Sequence, residues 1–259
     1  MPLKKKLKYT FVKVSRLYHS ARTGYPDKLF SDIMKISRMG KDGLILDVGC
    51  GTGKSTEPFA KRGFSVIGLD IGENLLSIAK RELKKYSNVR FRVGSFEKIK
   101  FKSNYFDLIV CGQAFHWLDH KVAFKNSVDF LKKDGFFAVF SKFQKKDSRF
   151  SSEIMELFVN NCPNYPRDKF TYKEYALGVS KKINESNLFF KPIIKKYISS
   201  FRYSKKLYRD LILSFSWVSS LSKDNKKIFV DKLDKILNKR KWPFYIYYDN
   251  VLIMAKVKK

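Results

Sequence analysis

The chain has 259 residues, 44% of them apolar, enough to bury a full core and to exclude a disordered or fibrous class. Lys and Arg outnumber Asp and Glu by 54 to 24, a formal charge of +30 that would ordinarily point to nucleic acid or an anionic surface. The excess is mostly Lys, is spread along the chain and accompanies abundant Phe, Tyr, Ile and Asn, so genome composition accounts for much of it, and no recognisable nucleic-acid module goes with it.

The basic first residues lack the apolar segment of a secretory signal, and no uninterrupted membrane-length apolar stretch follows. Leu44-Ile45-Leu46-Asp47-Val48 is an apolar run too short for a helix. It breaks into Gly49-Cys50-Gly51-Thr52-Gly53, three glycines on alternate positions that permit positive φ and close backbone approach. Residues 54–62 then read as a helix, with Ser55 or Thr56 as cap, Pro58 in its first turn and Gly63 as a left-handed stop. Strand, glycine loop and helix in that order place backbone N–H groups around a small polar ligand at a sheet's carboxyl edge.

The spacing separates three nucleotide-type readings. A P-loop would need its leading glycine at position 48, which is Val, and Asp47 would bring a carboxylate towards phosphates. A dinucleotide site would need its third glycine at position 54, which is Lys. The ungapped pattern Asp-x-Gly-x-Gly-x-Gly resembles the first motif of class I methyltransferases, which use S-adenosylmethionine (SAM). A second strand at 65–69 ends at Asp70-Ile71, and its carboxylate can accept both hydroxyls of an unphosphorylated ribose. Leu75, Leu76, Ala79 and Leu83 recur at helical spacing within 73–86, as a crossover helix requires. Val89–Val93 alternates as a third strand and runs into Gly94-Ser95-Phe96-Glu97, similar to the family's adenine-edge turn with Phe96 in place of a small residue.

Phe106–Gly112 reads as the fourth strand and leads into Gln113-Ala114-Phe115-His116-Trp117-Leu118-Asp119. That run resembles a segment of small-molecule methyltransferases related to trans-aconitate methyltransferases and, more loosely, to the ubiquinone and menaquinone methylases. Tyr18-His19-Ser20-Ala21-Arg22-Thr23-Gly24-Tyr25-Pro26 resembles the segment preceding the domain in the same group, with Thr23 replacing a proline. Leu131-Lys132-Lys133-Asp134-Gly135 resembles the family's turn into the fifth strand, 131–140. The detailed match covers about residues 16–142. Beyond it, helices are expected over 151–161, 171–187, 204–217 and 223–239, a sixth strand over 191–202, and a closing strand or hairpin over 244–257.

The resemblance implies an α/β, Rossmann-like fold: a doubly wound, mostly parallel seven-stranded sheet with an antiparallel last strand, plus helical additions. We expect a single methyltransferase domain over 1–259, with an amino-terminal helical lid to residue 40, a SAM-binding core over 41–142 and a helical cover with closing strands over 143–259. Asp47, Gly49, Cys50, Gly51, Thr52 and Gly53 would shape the methionine end of the cofactor pocket. Asp70 and Ile71 would meet the ribose, Ser95, Phe96 and Glu97 the adenine, and Gln113 the floor beside the methyl group. Phe115 and Trp117 would line the substrate side, with Tyr18, His19, Arg22 and Tyr25 forming either a lid that meets a carboxylate or a solvated helix face. His116 would take a proton from a phenol or hydroxyl, orient a carboxylate acceptor, or simply pack on Trp117 as wall. Cys50, Cys111 and Cys162 form neither a CxxC pair nor a zinc spacing with the three histidines, so no metal is expected and a cytoplasmic location fits. The expected activity is methyl transfer from SAM to a small molecule, a carboxylate or other anionic metabolite among the candidates. An RNA-modifying methyltransferase and a non-catalytic partner protein retaining the fold stand as alternatives.

Overall fold

The computed structural model describes residues 21–145, 149–166 and 171–259. In chain order these form α1 (Asp27–Ser37), β1 (Leu44–Val48), α2 (Glu57–Lys61), β2 (Ser65–Asp70), α3 (Glu73–Glu82), β3 (Val89–Val93) and β4 (Phe106–Gly112). They continue as α4 (His120–Phe130), β5 (Leu131–Gln144), α5 (Arg149–Asn161), α6 (Tyr172–Ser186) and β6 (Ile193–Tyr203). The last are α7 (Lys205–Leu213), α8 (Ser216–Ser219), α9 (Lys223–Asn238) and β7 (Phe244–Lys256). One sheet carries the order β3-β2-β1-β4-β5-β7-β6. The pairs from β3 to β5 are parallel and the last strand, β7, runs antiparallel, as the family resemblance implies.

The chain falls into two compact units. Of the described residues, the sheet unit holds 24–143, 171–199 and 249–259; the helical unit holds 21–23, 144–145, 149–166 and 200–248. In the sheet unit the central strands β1, β4 and β5 and the carboxyl half of β7 are apolar on both faces, because each face is covered. Leu46, Ile109, Phe137, Val139 and Ile253 enter one core cluster, while their neighbours Ile45, Leu108, Val110, Ala138 and Leu252 enter another. That alternation is the two-residue period of a strand buried on both sides. The helical unit has its own core, built from Phe150, Phe158, Tyr208, Phe229 and Leu233 among others.

Several element ends differ from the sequence reading for local reasons. The helix expected over 54–62 forms only at Glu57–Lys61. Thr56 is its N-cap but makes no capping bond, since its hydroxyl donates to Asp47 instead. Gly63 does take the left-handed stop, at φ 89°. The 204–217 helix is two, α7 with Ser204 capping it by accepting from the Leu207 N–H, and α8 after a break at Ser214 and Phe215. Of the two forms expected for the last run, a strand or a hairpin, Phe244–Lys256 takes the strand: Asp249 pairs with Lys196 at 2.9 Å, and buried Asn250 donates to the Ser199 hydroxyl at 2.9 Å. No described helix is long and apolar enough to cross a membrane.

Candidate cofactor and active site

The carboxyl ends of β1, β2, β3 and β4 meet along one edge of the sheet unit. The loop after β1 uses all three of its glycines at positive φ: 69° at Gly49, 54° at Gly51 and 85° at Gly53. Gly49 is also a steric requirement, since a Cβ there would lie 2.4 Å from the Cβ of Ala114, in the segment after β4. The Gly49 and Cys50 N–H groups both donate to the Leu69 carbonyl, at 2.8 and 3.2 Å, which bends the loop towards β2.

Asp70 ends β2 half-buried. Its carboxylate accepts from the Gly51 N–H at 2.9 Å through Oδ2 and from the Gly72 N–H at 2.8 Å through Oδ1. It therefore joins the glycine loop to the start of α3, with Ile71 half-buried between them. Asp47, one residue before the end of β1, is in a different state, fully buried, with Oδ2 accepting from the Ser55 and Thr56 hydroxyls at 2.7 Å each. Burial pushes its carboxyl up to about 6; the two hydroxyl hydrogen bonds oppose that, and the nearby charge of Asp70 adds to it. Asp47 Oδ1 and Thr52 Oγ1 are buried and have no hydrogen-bond partner among the described residues. Burial likewise raises the Cys50 thiol well above its ordinary range, so it is a neutral wall group.

After β3, the Ser95 hydroxyl donates to the Glu97 carboxylate, whose Oε1 accepts from the Asp119 N–H at 3.3 Å. Phe96 points into the core, 2% exposed and edge-on to Phe130, and its carbonyl accepts from Asn126 Nδ2. At this turn Ser95 and Glu97 are the groups with polar side chains to offer. After β4, Gln113 adopts φ 52°, donates from its N–H to the Phe140 carbonyl at 2.9 Å and from Nε2 to the Lys142 carbonyl at 3.2 Å. Phe115 is core, 1% exposed, and stacks on His120 with ring centroids 4.5 Å apart. His116 is exposed and lies obliquely against half-buried Trp117, centroids 4.8 Å apart.

Tyr25 precedes α1 and packs edge-on to Phe140 at 4.8 Å. Its hydroxyl lies 3.1 Å from where a Gly112 Cβ would stand, which brings this amino-terminal residue to the end of β4. Arg22 belongs to the helical unit, where its guanidinium lies over the Phe215 ring at 5.1 Å. Tyr18 and His19 lie outside the described residues. Sequence reasoning missed the tie from Ser55 and Thr56 to Asp47 and the contact between Gly49 and Ala114. The hydroxyls were legible only as caps, and nothing in the sequence pairs Ala114 with the loop.

The Methyltransferase domain family matches residues 46–139, a span that starts within β1 and ends within β5. A putative methyltransferase of Dictyostelium discoideum is 31% identical over 196 residues, 74% of this chain and 69% of its own. The chain belongs to the class I SAM-dependent methyltransferases. An uncharacterized methyltransferase of Schizosaccharomyces pombe is similar over more of the methyltransferase described here, 27% identical across 85% of this chain and 84% of its own. Among solved structures, a putative type II methyltransferase from Anaeromyxobacter dehalogenans shares the fold, with a TM-score of 0.65 at 17% identity over 91% of this chain and 97% of that one.

Proposed function

We propose that this methyltransferase holds SAM along the β1 to β4 edge and transfers its methyl group to a small-molecule acceptor. The observation that carries the reading is Asp70, a carboxylate fixed by two backbone N–H groups at the carboxyl end of the second parallel strand. Each of its oxygens keeps lone-pair capacity for a ribose hydroxyl, and its charge disfavours a phosphorylated ribose. Asp47, buried and taken by the Ser55 and Thr56 hydroxyls, would fix the loop that shapes the methionine end, with Thr52 in the same loop. Gly49, Gly51 and Gly53 keep Cβ atoms out of the approach; Ser95 and Glu97 supply polar groups for adenine, and Gln113 lines the floor.

The sulfonium of bound SAM supplies the methyl group and the driving force, so the chain's own task is alignment and exclusion of water. Beside the end of β4, exposed His116 would accept the proton of a phenol or hydroxyl acceptor, or orient an acceptor that is already ionised. Tyr25 and Trp117, both in the sheet unit, would contact the acceptor. The resemblance of 113–117 to small-molecule methyltransferases supports this class, an anionic metabolite being one form of it. The protein incubated with methyl-labelled SAM and separate metabolite and RNA fractions should label a compound in the metabolite fraction. Label confined to RNA would refute the small-molecule reading, and no label in either would refute catalysis.

A further inference from the structure

Around β3, the strand at one end of the sheet, cationic side chains gather that mostly lack acidic partners among the described residues. Residues 80–102 carry nine Lys or Arg against two acids, Glu82 and Glu97, twice the ratio of the whole chain. Glu82 is taken by Arg81 at 2.7 Å, and Glu97 accepts from Ser95 and the Asp119 N–H. Lys84, Lys85, Arg90, Arg92, Lys98 and Lys100 are in no ion pair among the described residues. The sheet's other end differs. On β6, Lys195 is held by Asp32 at 3.0 Å and Lys196 by Asp249 at 2.9 Å, so charge there is spent internally.

Geometry turns the excess on β3 into a row. Arg90 and Arg92 stand opposite Ile67 and Leu69 in register, and both are exposed on the same face, about 6.6 Å apart along the strand. The Arg92 guanidinium lies over the Phe101 ring at 4.7 Å, which brings the 98–102 stretch, with exposed Lys98, Lys100 and Lys102, alongside that face. Large apolar side chains exposed nearby are Val93 and Tyr105, too few to wedge into a bilayer, and the element is a strand rather than an amphipathic helix. A line of cations in no ion pair among the described residues, with planar guanidinium groups and neighbouring aromatic rings, matches a flexible polyphosphate strand better than a flat lipid surface.

We propose that the β3 face, centred on Arg90, Arg92 and Lys100, binds single-stranded RNA through its phosphates without regard to sequence. This is a second surface, independent of whether the small-molecule reading is correct, and it uses none of the cofactor loop. The probe is a fluorescein-labelled mixed-sequence RNA of about 20 nucleotides, titrated by anisotropy over a series of salt concentrations. Replacing Arg90→Gln and Lys100→Gln together should lower affinity at low salt about tenfold and reduce the salt slope by about 1.4, two contacts at 0.7 each. Removing the same charge from α9, by Lys223→Gln with Lys226→Gln, should leave both nearly unchanged. S-adenosylhomocysteine binding, intact in both variants, verifies their fold. An equal loss from the α9 pair, an unchanged β3 variant, or tighter binding of wild type to phosphatidylserine vesicles than to RNA would each overturn the proposal.

Discussion

Asp47 and Asp70 stand near the carboxyl ends of the neighbouring parallel strands β1 and β2, Asp47 paired with Gly68 and Asp70 one position past the last pair, Val48 with Leu69, yet the two carboxylates are held in different ways. At β1 the carboxylate is sealed from solvent and absorbs two side-chain hydroxyls, and its proton affinity is raised by burial. At β2 it is half-buried and fixed by backbone N–H groups on both sides. The first arrangement holds the shape of the glycine loop; the second presents charge at the loop's open side. On the proposed reading, two aspartates in one motif divide into a loop-fixing role and a ligand-facing role, and burial decides which is which.

The largest expected effect comes from closing the space that both roles need. Gly49→Ala forces an L side chain into φ 69° and drives its Cβ to 2.4 Å from Ala114. Urea denaturation should show a loss of about 3 kcal/mol, combining left-handed strain with overpacking. A variant as stable as wild type would show that the loop and the post-β4 segment are not packed as described.

The next effect separates the two carboxylates by pH. Because the folded-state pKa of Asp47 is raised from 3.8 to about 6, its contribution favours the folded state below 3.8 and is lost as pH rises through about 6. Wild type should therefore lose ~2 kcal/mol of stability between pH 4 and 7 relative to Asp47→Asn, whose profile across that window should be flatter. Asp32 acts with the opposite sign. Its carboxyl lies well below the usual range, chiefly through the Lys28 hydrogen bond with Lys195 and Tyr197 adding, so its contribution is lost only as pH falls below 3.8. Parallel profiles for wild type and Asp47→Asn between pH 4 and 7 would remove the distinction drawn at β1.

Smaller still, Ser55→Ala deletes one of the two hydroxyls on Asp47 Oδ2 and should cost ~1 kcal/mol. Its effect should shrink in the Asp47→Asn background, as a double-mutant cycle would register. Strict additivity would mean that Ser55 stabilises through something other than Asp47.

How much of this was readable beforehand follows from which forces are local. The glycine spacing, Asp70 and the strand pattern were legible because positive φ, close approach and two-residue alternation leave direct marks on residue type. The fate of Phe96 and Phe115 was not. Both lie within the motif-like runs, but burial carries their side chains into the core, leaving Ser95, Glu97 and His116 as the groups with something polar to present. The short α2 was hidden for a similar reason, since the hydroxyls that look like caps are claimed by a carboxylate eight and nine residues earlier. The assignment of Arg22 and Tyr25 to different units follows from long-range packing that single-sequence periodicity does not encode.

The central claim is that the β2 end faces the cofactor while the β1 end fixes the loop, and calorimetry of S-adenosylhomocysteine binding on Asp70→Ala, with thermal denaturation of the same sample, tests it most directly. The account predicts binding weakened by about 1.5–3 kcal/mol, the loss of a charged acceptor of hydrogen bonds, with a melting temperature close to that of wild type. Undiminished binding, or a variant that loses binding only because it no longer folds, would contradict it.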